Sequence, residues 1–419
     1  MSRASADGAA RRVAVVGAAY LVQGLVAAVG MLLLVRLAQV GAPIETQGRV
    51  LASGADPWVL KFGLALGLDL GPSWSYRVRA GALAFLQLGA AACVLVLADA
   101  FVGGQAGAPS SIAAVAWAWF ALNGFAAAQD VVVDALALDT LAERRAAAAT
   151  AMGVGVAIGF NVLGLWVVGA RVVAEGMTAG LRWPAWWIAA LAWVPVIGLW
   201  RPGSPSKART AAAEQPPPRG PALAKLAVIP LVFVALTFAA NTTQAVGVEF
   251  LFNHLRWDYV GYAGLVVPVA SLAAVLGASA AGPVLARRDP ATTALLASLG
   301  LGLVWLGFAA IEPMWTQKPT IVGLAACEGA LQSAMMVALH AVALIAASRT
   351  PMPTTSFVLA MASLNLARVL APLAAAHGVS LGWAGLFAAC GAAQWLASAG
   401  LWPLRGRANA GGDAADAVR

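Results

Sequence analysis

Asp130 and Asp134 stand four residues apart inside the apolar segment AWAWFALNGFAAAQDVVVDALALDTLAERR, residues 116–145. On a helix that spacing puts both carboxyl groups on one face. A carboxylate near the bilayer centre costs about 2.5–3.5 kcal/mol even on insertion scales, and a second one a turn away adds repulsion. The pair is tolerable only where it meets water, a cation or a shared proton. The chemistry it supports is proton uptake and release, because a carboxyl group held away from bulk water exchanges its proton near neutral pH. Lys61, in the apolar stretch 48–69, is a cation that could pair with either aspartate; that would be a structural role and would not exclude a functional one.

Comparable groups recur in the second half of the chain. Glu328 and Gln332 lie one turn apart, with His340 further along the same stretch. A lone His in an apolar helix is more often a packed hydrogen-bonder than a proton group. Asn241, Gln244, Glu249 and Asn253 form one broad face, and Asn365 and Arg368 share another. An intramembrane Arg either clamps a substrate carboxylate or phosphate or pairs with an acid such as Glu328, and both readings stand. Gln129, next to Asp130, joins the set, with Tyr20 and Gln23 as weaker members.

The elements that position these groups must be membrane helices. Of the 419 residues 61% are hydrophobic and only 11% are charged. A soluble protein carries about 25% charged residues, so this chain lacks the charge to cover a water-facing surface. Its net charge of +8 comes from short basic clusters between apolar runs, not from a basic stripe with interleaved aromatics, which excludes a nucleic-acid partner. Cys93, Cys327 and Cys390 are far apart in apolar runs and read as free, buried thiols. The chain has no phosphate-binding Gly-x4-Gly-Lys-Ser/Thr loop and no HExxH. Gly153-x-Gly155 lacks the third glycine of a dinucleotide loop. No cofactor, no metal site and no enzymatic activity are therefore expected.

Apolar runs separated by Pro, Gly or charge predict an all-α membrane protein with twelve spans: 13–36, 48–69, 78–100, 111–138, 146–170 and 184–200, then 223–250, 260–285, 291–311, 319–347, 354–376 and 380–403. The second is the weakest, since it contains Arg49, Asp56, Pro57 and Lys61. The implied domains are a six-helix half (1–200), a Pro-rich charged linker (201–222), a second six-helix half (223–404) and a disordered tail (405–419). Basic residues concentrate in segments that share a side with both termini and the linker, which the positive-inside rule makes cytoplasmic. Gly155 and Gly159, and Gly277 with Ala281, are small-residue faces suited to close helix packing.

A repeat trace supports two equivalent halves: Asn123-Gly124 in the fourth span corresponds to Glu328-Gly329 in the tenth at the same offset that relates Arg144 to Arg349. Two six-span halves joined by a basic linker resemble the major facilitator superfamily. Within it the first half resembles the muropeptide permeases (AmpG type) and the acetyl-CoA transporters. The residues that carry the likeness are Gln129-Asp130-Val131-Val132-Val133-Asp134, Asp139, Glu143-Arg144 and the small-residue run before Gly153, together with Lys61-Phe62, Asp69, Arg77, Arg79 and Gly81. Leu70 follows Asp69 where that family usually carries Arg.

The resemblance implies a proton-coupled secondary transporter that moves a small solute such as a cell-wall muropeptide across the inner membrane of a bacterium by alternating access. It further implies a monomer with a cavity at mid-membrane between the halves, lined by the first, fourth, seventh and tenth spans. Asp69 with Arg77 and Arg79, and after the eighth span Arg287 and Arg288, would then be a cytoplasmic gate latched by charge; simple positive-inside anchoring is the other reading. Asp139 is expected to organise Arg144 or Arg145. The competing function is a non-transporting assembly or delivery factor with the same fold, against which the retained intramembrane charges argue.

Overall fold

A computed structural model of the chain describes residues 3–54, 56–71, 74–102, 109–200, 221–258 and 261–405; within them some side chains, including those of 140–145 and 221–227, fall outside the description. Residues 201–220 of the expected linker and 406–419 of the expected tail lie outside the described residues, as do the side chains of Glu143, Arg144 and Arg145; Pro221 and Ala222 already belong to a helix, and Arg405 donates to the Thr292 hydroxyl at 3.2 Å. Among the described residues every regular element is a helix. That is the outcome lipid enforces, because a helix satisfies its own backbone N–H and C=O groups where water cannot reach them.

In the first half α1 spans Arg3–Gln39, α2 Ile44–Ser53, α3 Asp56–Leu70, α4 Tyr76–Asp99, α5 Ile112–Ala157, α6 Gly169–Glu175, α7 Met177–Leu191 and α8 Trp193–Leu199. In the second, α9 spans Pro221–Val248, α10 Val267–Leu285, α11 Pro290–Ala310, α12 Lys318–Ala347, α13 Pro353–Gly378 and α14 Gly382–Ala399. Wider π turns follow α5 (Ile158–Val168), follow α9 (Glu249–His254) and precede α10 (Tyr262–Val266). Ser75 caps α4 by accepting from the Val78 amide at 3.3 Å, and Ser111 caps α5 by accepting from Ala114 at 3.2 Å. Each side-chain oxygen satisfies a donor that has no partner within its own helix.

Among the described residues nine helical stretches are long and apolar enough to cross a membrane, including Ile112–Asp139 and Ala146–Glu175. The protein is a multi-pass membrane protein. Ile112–Ala157 forms one continuous run of helical residues, yet packing against α1 shows that two helical segments of opposite direction meet within it. Tyr20 meets Asp134 and Gly30 lies under Trp119, an antiparallel order; Gly17 meets Ala151 and Gly24 meets Val156, a parallel one. The turn therefore falls between Asp134 and Ala151, where the sequence separates the fourth and fifth spans. A Cβ at Gly24 would sit 2.6 Å from the Val156 carbonyl oxygen, and Gly155 and Gly159 pack equally closely on α1. These small residues permit helix contact, as expected.

The three other expected spans take different forms. The second is broken into α2 and α3. Asp56 and Pro57 begin α3, where a residue without an N–H costs nothing. Gly54, at the break, lies so close to the Trp119 ring and Asn123 that no side chain fits there. The sixth is α7 and α8 in series, entered at Gly176, whose φ of 84° favours glycine. The eleventh is α13, 26 residues long, enough for roughly 39 Å of helix.

The chain forms two compact units: the described residues of Met1–Pro216 with Thr350–Val358, and those of Pro217–Arg349 with Leu359–Arg419. The first centres on apolar side chains of α1, α4, α5 and α7, including Leu25, Leu33, Val94, Leu122 and Ile188. In the second, Phe250 sits among Phe308, Trp315, Trp383 and Phe387 with ring centroids 5.1–6.0 Å apart. Outward-facing residues such as Leu396, 79% exposed, and Ile197, 75% exposed, suit lipid and not water.

Candidate functional site

Three helices of the first unit converge on the two aspartates. Tyr20 and Gln23, three apart on α1, face Asp134 and Asp130 of α5, and α3 brings Lys61 to the same place. The Lys61 ammonium lies 2.7 Å from Asp130 Oδ2, with Lys61 only 1% exposed. Gln23 Nε2 donates to Asp130 Oδ1 at 2.5 Å. Both oxygens of Asp130 are thus engaged, one by a cation and one by an amide, which is the condition under which a buried charge is tolerated.

Asp134 is placed differently. The Tyr20 hydroxyl donates to its Oδ1 at 2.6 Å. Its Oδ2 is buried with no hydrogen-bond partner among the described residues. An orphaned carboxylate oxygen in an enclosed site is costly, and a proton on it removes the cost.

An aromatic support surrounds the lysine. Its ammonium sits 4.8 Å from the Trp58 ring centroid, Trp58 Nε1 donates to Asn123 Oδ1 at 2.9 Å, and Asn123 Nδ2 donates to the Trp119 carbonyl at 2.9 Å. Sequence reasoning missed Trp58, although its place three residues before Lys61 on one helix was the available signal. Gln129 turns away from the acids: it is fully buried, and its Nε2 donates to the Ala19 carbonyl at 2.8 Å. It fastens α5 to α1 and so sets the register at which Tyr20 and Gln23 reach the aspartates.

The polar residues of the second unit form looser links. The Thr243 hydroxyl is 3.1 Å from Glu328 Oε1, and Gln244 Nε2 donates to Gln332 Oε1 at 3.2 Å, joining α9 to α12. Asn241 Nδ2 bonds its own helix at the Thr237 carbonyl. Asn253 Nδ2 donates to Glu249 Oε2 at 2.6 Å within one π turn, and both residues are exposed. His340 is buried with Nδ1 2.7 Å from the Met336 carbonyl, a packed histidine. Asn365 and Arg368 take their places on α13, and among the described residues neither makes a hydrogen bond or ion pair.

The expected gate residues are distributed over several elements. Asp69, at the end of α3, accepts from the Thr355 amide at 2.7 Å and the Thr354 amide at 3.3 Å, at the N-terminus of α13. Free amides and the positive end of the helix dipole make that a natural seat for a carboxylate. Arg79 is buried and pairs with Asp139 at 2.5 Å, so Asp139 organises Arg79. Exposed Arg77 donates to the Trp200 carbonyl at 3.3 Å. Arg287 and Arg288 are exposed beyond α10, and Asp289 caps α11 through the Thr292 amide at 3.0 Å.

No protein-family model matches the chain, and neither does any curated protein sequence. Solved structures do. The human organic anion transporter MFSD10 (TETRAN) is 16% identical, with 94% of this chain and 99% of that chain covered at a TM-score of 0.67. The Escherichia coli fucose:proton symporter FucP is 11% identical, covers 93% of this chain and 98% of its own, and gives a TM-score of 0.63. The proton:xylose symporter XylE, solved with 6-bromo-6-deoxy-D-glucose, is 12% identical over 96% of each chain at a TM-score of 0.64. These proteins are major facilitator superfamily transporters. At such identities the likeness is one of architecture, and it extends over nearly the whole chain: the protein has the major facilitator fold.

Proposed function

We propose that the protein is a secondary active transporter in which Asp134 carries the coupled proton and Asp130, held by Lys61 and Gln23, supplies a fixed charge beside it. The observation that carries the reading is the unequal engagement of the two carboxyl groups. Asp130 has a cation on one oxygen and an amide on the other, whereas Asp134 has a buried oxygen with no partner. A proton on Asp134 fills that vacancy, and its release leaves a second negative charge one turn from the first. The fixed charge thereby makes release depend on opening to water, which is what coupling to alternating access requires.

The fold is shared with proton symporters of fucose and xylose and with an organic anion transporter, which supports solute transport as the activity. The Gln129–Asp134 element and the Lys61–Arg79 region add the muropeptide-permease likeness, so the solute favoured is a cell-wall sugar fragment crossing a bacterial inner membrane. Both termini and the linker face the cytoplasm in this reading, and the protein acts as a monomer without cofactor.

Proteoliposomes with an imposed proton gradient test the proposal. Asp134→Asn is expected to insert and fold, to exchange solute down its gradient, and to lose accumulation driven by protons. If Asp130→Asn and Asp134→Asn both accumulate solute as the parent does, the aspartates are structural and the coupling is located elsewhere.

A further inference from the structure

Arg368 is the sixteenth residue of the 26-residue α13, roughly 22 Å of helix rise from one end and 15 Å from the other. That is too deep for a side chain to escape to the interface in the way that arginines near helix ends do. The direction it takes around the helix is legible from its neighbours. Leu359, Leu366 and Leu370 are exposed at 49%, 49% and 38%, and at about 100° per residue they fall within about 40° of one another, the stripe that suits lipid. Arg368 projects about 160–200° from that stripe, beside the buried positions Phe357, Leu364 and Ala371. Asn365, one turn earlier, lies about 60° from it on the same side.

On that side Arg368 is exposed and makes no hydrogen bond or ion pair among the described residues. Its expected internal partner does not reach it: Glu328 accepts from Thr243 and forms no ion pair with Arg368. A guanidinium that faces away from lipid, keeps open surface and has no acid of its own among the described residues is available to an anion.

Resting on the transport reading above, we infer that Arg368, with Asn365 beside it, recognises an anionic group on the transported solute, a carboxylate or phosphate. The planar fork of Arg368 can donate to two oxygens of such a group at once, and the Asn365 amide adds a donor one turn away. A neutral solute would leave the charge uncompensated. The selectivity is therefore for the anion, whatever the rest of the solute.

The test uses three acids and their neutral counterparts as probes on the full-length protein in detergent, read by thermal shift and by titration. The pairs are N-acetylmuramic acid against N-acetylglucosamine, glucose 6-phosphate against glucose, and citrate against its trimethyl ester. At least one acid is expected to bind with its neutral counterpart at least tenfold weaker. Arg368→Ala should weaken that acid by roughly 10- to 100-fold, and Arg368→Lys, which keeps the charge and loses the fork, by less. Binding by none of the acids, equal binding of acid and neutral member, or unchanged binding in Arg368→Ala overturns the inference. Uptake into proteoliposomes separates this from failure of the transport reading. Accumulation of a neutral sugar alone leaves transport standing and removes the anion; acid binding that depends on Arg368 without any uptake removes transport and keeps the anion site.

Discussion

The two halves place their intramembrane charges at different repeat positions and treat them in opposite ways. In the first unit the fourth span carries Asp130 and Asp134 under cover, tied by Lys61, Gln23 and Tyr20 from two other helices. The offset that relates Asn123 to Glu328 carries those aspartates onto Met335 and Leu339, both fully buried in the second unit. There the charge moves to the repeat position of Asn123, becomes Glu328, and is met by the Thr243 hydroxyl. Its cation, Arg368, stands apart with no partner among the described residues. The network closed around Asp130 suits a fixed charge, because its members satisfy one another, and the open oxygen of Asp134 suits a proton. A half-buried acid and an open arginine suit a ligand, because their satisfaction has to come from outside.

Substitutions that treat the halves unequally can break this contrast, and the largest effect belongs to the closed network. Lys61→Met strands a charged Asp130 in a site of about 4% exposure, and it is expected to cost roughly 3–5 kcal/mol by thermal unfolding in detergent. Adding Asp130→Leu to Lys61→Met should recover most of that loss, since both charges are then gone. A mild effect of Lys61→Met alone would mean that Asp130 is not a fixed charge, and the proposed division of labour with Asp134 would fall.

The seat of Asp69 gives an intermediate effect. Asp69→Asn keeps the shape and removes the charge from the first turn of α13. A loss of about 0.5–2 kcal/mol is expected, shrinking in high salt, and measurable by unfolding at two ionic strengths. A salt-independent change would assign the contact to ordinary hydrogen bonding.

Glu328→Gln should have the smallest effect on stability, within about 1 kcal/mol, because the amide oxygen can still accept from Thr243. The same neutralisation at Asp130, by Asp130→Asn, should cost several times more, since it leaves the Lys61 ammonium buried without its counter-ion. Equal costs at the two positions would erase the distinction between a closed and an open half.

Much of this was legible before any tertiary structure. Hydropathy, charge spacing and Pro or Gly boundaries report how a short segment fares against lipid, so the helical membrane class and most span positions could be read locally. The break in the second span was foreshadowed by Asp56-Pro57, and the packing role of Gly155 and Gly159 by their spacing. The reversal between the fourth and fifth spans was marked by the charged run 139–145.

What a sequence determines by itself is which residues must avoid lipid; who satisfies them is decided by the tertiary structure. Asp130 and Asp134 look equivalent in the chain, on one face one turn apart, and either could have taken Lys61. Only the rotation and depth of α1 and α3 against α5 gave the lysine and Gln23 to Asp130, left Asp134 with Tyr20 and an empty oxygen, and turned Gln129 to the Ala19 carbonyl. Likewise Asp69 reached backbone amides 285 and 286 residues away. A shift of one residue along a helix turns a side chain by about 100° and moves it about 1.5 Å, enough to exchange partners without changing hydropathy or helical periodicity.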